Sequence, residues 1–456
     1  MATHGTTASP RKAALASKVR APLPLAPPTG TNNGVATGFQ SIRLPAEHFA
    51  AAIAFLLAGA LGLVWIAPEL AAGTYLSPHV AGVTHLFTLG WLTTTIFGVL
   101  YQVLPVALGA PIWSRRMGHV GFWCFAPGVA LFAAGVFGGS TMLHHAGIAL
   151  VGTGILLVAA NISRSLIAAP TRDVTWAAVA TAIVFLVSTL GLGIVLLHNV
   201  HTGFLAGARV RVLAAHLHIA LVGWVLMMMV GVSHRMLPMF LLARDADTRW
   251  TRRSLILLAT GVITLAAGLL VPEAGVAWLG ALLLEGGVAC FLWQVYSFFR
   301  VRVRRTLDAG MRYAAVGLVF VSTSALLGPA VLAGGASHPR LATAYVSAGL
   351  LGGFVLFVSG FFYKIVPMIA WTARSAGRTG TATVPSVGET YSARLAYVQL
   401  GLMTLGIALL GLGIGILSPH VARCGAILWA TGVLLFTAQI VRVATGGRVA
   451  HIAGRA

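Results

Sequence analysis

The chain has 456 residues, of which 58% are hydrophobic and 9% charged, with 30 Lys+Arg against 9 Asp+Glu. A soluble chain is about 25% charged, so this composition cannot cover a water-facing body and excludes a soluble enzyme or binding domain. The formal charge of +21 would suggest nucleic acid in a soluble protein; in an integral membrane protein it reads instead as basic cytoplasmic loops, and no nucleic-acid partner is expected.

Residues 1–46 are polar, rich in Pro, Ala and Thr, and carry Arg11, Lys12, Lys18 and Arg20. They lack a continuous apolar stretch, so a disordered basic cytoplasmic tail is expected rather than a cleaved signal peptide. Beyond them, twelve runs are long and apolar enough to span a bilayer, roughly 48–67, 83–108, 119–138, 142–162, 174–198, 212–241, 254–271, 275–299, 310–333, 341–371, 395–417 and 420–441. A span needs about 20 such residues. The runs are continuous rather than alternating, and lipid demands an internally bonded backbone, so the expected fold class is an all-α integral membrane protein with 12 transmembrane helices. Cys124, Cys290 and Cys424 fall inside apolar runs without a CxxC pair. A disulfide framework, a zinc ribbon and covalently attached c-type haem are therefore unsupported.

Alternating the loops from a cytoplasmic N-terminus places every basic residue inside except Arg209, Arg211, Arg340 and Arg423. The positive-inside bias fixes the expected orientation, with both termini cytoplasmic in a bacterial-type inner (plasma) membrane.

Spans 2, 6 and 10 align on Pro105, Pro238 and Pro367. In that register Gly90, Gly223 and Gly352 coincide, as do Gly98, Gly231 and Gly360, and Tyr101, His234 and Tyr363. Asn161, Gln294 and Gln439 echo the pattern on spans 4, 8 and 12. Three pseudo-symmetric four-helix repeats are expected, over 47–166, 174–305 and 310–445, forming one membrane domain. Packing accounts for the small residues and an interfacial helix end for the Pro and Tyr positions.

Histidine goes beyond packing, because an ionisable group within a span is a functional hypothesis by default. His85 and His218 hold one repeat position, where the third repeat has Ser347, so helix packing does not require the imidazole. His216 and His218 are about 200° apart around one helix, so one can face one crevice and the other a second. Neutral imidazole is the commonest metal ligand, and two facing helices can clamp a haem iron; polar groups bonded across helices would use the same residues. Arg209 and Arg211 just before span 6 suit haem propionates as well as an ordinary interface. His144, His145, His198 and His201 sit at helix ends, where solvation is expected. His234 lies about 24 Å beyond His218 and cannot join its site. Glu285 is the one acid near mid-membrane, with cross-helix bonding, proton transfer and metal service all open. Met227, Met228 and Met229 point around the whole helix and read as lipid and core contacts rather than a copper path.

Twelve spans in three arcs, an outer-end histidine on span 2 and the His216-x-His218 helix together resemble the heme-copper oxidase superfamily, specifically divergent relatives of its catalytic subunit I, over about residues 47–445. In that family, histidines of spans 2 and 10 hold a low-spin haem, a further span 10 histidine holds the high-spin haem, and spans 6 and 7 supply copper ligands. His85 matches the span 2 ligand. His216 and His218 have the family's His-x-His form on span 6, whereas span 10 offers Tyr345 and Ser347 and span 7 has no histidine. The resemblance thus implies b-type haem held by His85 and one of His216 or His218, without a complete haem-copper centre and without support for copper. Electron transfer or binding of a diatomic gas (O2 or NO) would follow, with membrane lipid and a cytochrome or other redox partner. The alternative is a polytopic transporter of metal ions or a small solute.

Overall fold

A computed structural model describes residues 33–243, 247–271, 273–334, 338–375 and 390–446, with side chains described from Ile42. The chain divides into two units, Met1–Gln40 and Ser41–Ala456. Most of the expected tail lies outside the described residues; its residues 33–46 are helical.

The second unit is built of twelve helices long and apolar enough to cross a membrane, and the described residues contain no strand. They are α1 Ile42–Ala72, α2 Pro78–Leu108, α3 Arg115–Phe137, α4 Thr141–Ile167, α5 Val174–Thr202, α6 Ala206–Leu241, α7 Arg249–Leu270, α8 Ala274–Arg300, α9 Ala309–Gly334, α10 Pro339–Ala373, α11 Ala393–Gly415 and α12 Pro419–Thr445. Each expected apolar run is one of these helices, and the chain is a multi-pass membrane protein. Their starts obey local chemistry. Ser77, Ser114, Ser140, Asp173, Ser392 and Ser418 each accept a first-turn backbone N–H, satisfying donors the helix cannot.

Helices α2, α6 and α10 are the most enclosed, with 72%, 56% and 67% of their apolar windows buried. Each contains an eight-residue π-helical stretch, Leu86–Thr93, Ile219–Leu226 and Ala348–Val355. The three stretches touch one another pairwise and so form the centre of the molecule. Wider turns change the rotational phase of a helix and leave backbone groups to be satisfied otherwise; Thr94 Oγ1 accordingly donates to the Leu89 carbonyl at 2.9 Å. Trp224 Nε1 donates across the centre to Thr93 Oγ1 at 3.0 Å.

The aligned glycines are points of close approach. A Cβ on Gly90, Gly223 or Gly352 would come within 2.6, 2.7 and 2.5 Å of Phe55, Phe185 and Phe320, on α1, α5 and α9 respectively. The aligned amides tie loops down. Asn161 Nδ2 donates to the Ser114 carbonyl at 2.9 Å, Gln294 Nε2 to the Asp247 carbonyl at 2.6 Å, and Gln439 Nε2 to the Ser392 carbonyl at 3.3 Å. Asn161 and Gln439 also donate to the phenol oxygens of Tyr101 and Tyr363. Replacing Gln439 with leucine would strand buried partners, at a cost of about 1–3 kcal/mol. A lowered thermal midpoint in detergent, with the helical circular dichroism of the folded protein unchanged, is the expected result.

Met227, Met228 and Met229 are all buried in the core. Expectation gave them lipid contacts as well, but their place directly after the central π-helical stretch encloses every side of the helix.

Candidate functional site

His85 of α2 and His218 of α6 sit immediately before their π-helical stretches. His85 Nδ1 lies 2.7 Å from the Ala81 carbonyl and His218 Nδ1 2.8 Å from the Ala214 carbonyl. A carbonyl only accepts, so each Nδ1 carries the proton and each Nε2 presents a lone pair. This is the tautomer a metal-binding imidazole needs, with the ring orientation held by the second nitrogen.

The two α6 histidines face different crevices, as their angular separation requires. His216 lies beside the Thr189 backbone of α5, with His85 of α2 among its electrostatic neighbours. A Cβ on Gly193 would meet its Cε1 at 3.4 Å, so α5 offers only a glycine there. Nδ1 of His216 is buried and makes no hydrogen bond of ordinary geometry, the Thr189 backbone being the polar group beside the ring. Phe132 of α3 closes the crevice edge-on against His85, ring centroids 5.0 Å apart.

His218 faces the next crevice, toward α10. Its Nε2 accepts from the Tyr345 hydroxyl at 3.0 Å, and the rings stack with centroids 6.0 Å apart. The half-buried Glu285 of α8 is a charge neighbour of Tyr345. A Cβ on Gly328 of α9 would meet both, at 3.4 Å from Glu285 Oε1 and 3.8 Å from Tyr345 Cε2. Ser324 Oγ donates to the Tyr345 carbonyl at 3.0 Å. Among the described contacts Glu285 makes no hydrogen bond or ion pair, and its three possible roles stay open. Tyr345 was legible only as the residue standing where span 10 lacks a histidine.

Arg209 and Arg211 open α6 and are exposed, and neither makes an ion pair among the described residues. Each stands seven residues before a histidine, two turns and about 10 Å along the same helix face. Arg209 thus belongs to the His216 face and Arg211 to the His218 face. His234, at the other end of α6, is occupied with Thr251 Oγ1 at 3.1 Å.

One outcome departs from expectation. His144, placed at a helix end with solvation in view, is buried, and its Nε2 lies 3.1 Å from His201 Nε2, with His145 stacked on His201. Helix-end position in sequence does not reveal that the start of α4 and the end of α5 meet. His198 is exposed beside Phe204, as expected.

The chain matches no family model, and no curated protein matches it in sequence. Among solved structures it is similar to a heme-copper terminal oxidase determined as a dimer by cryo-EM, with a TM-score of 0.60, 12% identity, and coverage of 92% of this chain and 85% of that one. The chain has a heme-copper terminal oxidase fold. The likeness is one of fold, and it extends over 92% of the chain.

The donor set of the first crevice fits a haem of the kind such a fold implies. Two neutral imidazoles come from separate helices, one with Nε2 left open by its backbone bond and the other with a buried nitrogen that makes no hydrogen bond of ordinary geometry. The second crevice fits less well, because its single imidazole is already engaged with a phenol.

Proposed function

We propose that this chain is a membrane haem protein in which His85 and His216 would hold one b-type haem near the histidine-bearing, outward-facing end of the bundle. The observation that carries this reading is that the His216 ring has His85, on a separate helix, among its electrostatic neighbours. Haem supplies one-electron chemistry when bound; the protein sets its ligands, its access and its surrounding charge. The Ala81 carbonyl holds the His85 ring in position. Phe132 and the α5 backbone exclude water, and Arg209 is placed to pair with a propionate.

Two imidazoles holding the iron would favour electron transfer over O2 or NO binding. A cytochrome or another redox protein would meet the exposed Arg209 and Arg211 end. The His218–Tyr345–Glu285 group lacks the ligands of a complete haem-copper centre, so a copper ion beside the haem is unsupported. The four-helix repeat belongs to the same reading, supported by the recurring π-helical stretches, glycine contacts and loop-tying amides. The positive-inside bias supports cytoplasmic termini and a bacterial-type inner membrane. The transporter alternative is weaker: none of the described spans is broken by unwound backbone at mid-length, the feature transport sites use.

A reduced-minus-oxidised spectrum of the purified full chain tests the proposal. A b-type α-band is expected, and no band even after haem supplementation overturns it. Arg209→Gln is expected to keep the band but lower the midpoint potential, because a nearby cation stabilises the reduced form. The shift is on the order of tens of millivolts at low salt and shrinks as salt screens the exposed charge. Arg211→Gln, on the other face of α6, should move it less.

A further inference from the structure

At the same end of the bundle as the crevices, but on the outer helices, His144 and His145 open α4 and His201 lies in the last turn of α5. Each offers a ring nitrogen, and the three nitrogens lie within 4.8 Å of one another. We propose that His144, His145 and His201 form a binding site for a divalent transition-metal ion of the Zn2+ or Cu2+ class, separate from any haem.

The protonation pattern already suits a metal. The 3.1 Å contact between His144 Nε2 and His201 Nε2 holds one proton between two nitrogens, so one of them is an unprotonated acceptor. His145 Nδ1 donates to the Thr141 carbonyl at 2.7 Å, which leaves its Nε2 with a lone pair. An ion bound at about 2.0–2.1 Å by tetrahedral ligands sets neighbouring nitrogens about 3.3 Å apart, close to the 3.1 Å of the His144–His201 pair, with the third nitrogen within 4.8 Å. Only small side-chain rotations are required to replace the shared proton with a cation.

The site is also held in place. Gly135 of α3 lies against the backbone at His144, where a Cβ would come within 2.3 Å of its nitrogen, and Ser140 caps the start of α4. Gly203, in a left-handed conformation at φ 67°, ends α5 just beyond His201. The donors are all neutral imidazoles, a set that favours Zn2+ and Cu2+ over the hard cations Mg2+ and Ca2+. His145 and His201 are exposed, so three protein ligands would leave a fourth position to water, as in open zinc sites. His201 lies eight residues beyond Gly193, about 12 Å further along α5 than the His216 contact, which makes the two sites distinct.

The test uses the full chain purified without a histidine tag, stripped with a chelator, and dialysed against Zn2+. One equivalent of Zn2+ retained at micromolar free metal is expected, with affinity falling as pH drops because protons compete with the metal for the ring nitrogens. His201→Gln and His145→Ala, at exposed positions, should each weaken retention by at least about a hundredfold, more than loss of an outer-shell partner does. The haem spectrum recorded on the same samples should be unchanged. His218→Ala and a His4→Ala/His451→Ala double variant should retain the ion. No retention by the unaltered chain, or wild-type retention by a His145→Ala/His201→Gln double variant, overturns the proposal. Neither outcome depends on whether the chain carries haem.

Discussion

Replacing His216 with alanine is expected to remove the b-type α-band, lowering haem occupancy at least about tenfold, since loss of a direct ligand exceeds the loss from an outer-shell partner. His85→Ala should do the same, whereas His218→Ala should leave the band in place. The contrast follows from geometry. His216 and His218 are two residues apart, and one helix cannot turn both rings into the crevice that holds His85. His216 is the one with His85 among its electrostatic neighbours, and its buried Nδ1 makes no hydrogen bond of ordinary geometry. His218 is committed to Tyr345. Haem content per purified protein, measured from the reduced-minus-oxidised spectrum, reads out the three variants. Loss of the band in His218→Ala with retention in His216→Ala would reverse the assignment, and loss in all three would mean that the crevice geometry does not discriminate.

Gly223→Leu should cost the protein about 1–3 kcal/mol by overpacking and should release haem as well. A Cβ at Gly223 would lie 2.7 Å from Phe185 Cγ, so α6 must move away from α5. The same two helices carry His216 on one side and Thr189 with Gly193 on the other, so the displacement opens the wall of the proposed haem crevice. Gly191→Ala is the matched control. It lies on α5, nothing would come within 4 Å of its Cβ, and replacing glycine within a helix is neutral to stabilising by about 0.5–1 kcal/mol. A lower thermal midpoint and reduced haem content for Gly223→Leu, with neither for Gly191→Ala, is the expected pattern. Equal behaviour of the two would show that the α5–α6 spacing does not control the site.

Much of the architecture is legible without coordinates because lipid imposes it. Continuous apolar runs in a chain with 9% charged residues have one structural solution. The alignment of α2, α6 and α10 marked the right glycines, since a residue that must sit against a phenylalanine ring on the next helix has few alternatives. Asn161, Gln294 and Gln439 were visible only as an echo; that each ties down the loop before α3, α7 and α11 depends on where those loops fold back. The candidate site was half legible. His85, His216 and His218 stand out because imidazole inside a span needs a reason, but their partners do not. Tyr345 is an ordinary aromatic at a helix end until it meets His218. His144 and His201 read as solvated until α4 and α5 bring them together.

Composition and periodicity by themselves determined that this is a multi-pass helical membrane protein, where its twelve helices run, and that α6 presents two imidazoles about 200° apart. They could not determine which imidazole meets which helix. That depends on the rotational phase of α6 about its own axis, which is set by the π-helical stretch beginning at Ile219 and by the contact of Gly223 with Phe185. Only the tertiary structure decided that His216 turns toward His85 and His218 toward Tyr345, because helix phase is fixed by neighbours far away in sequence.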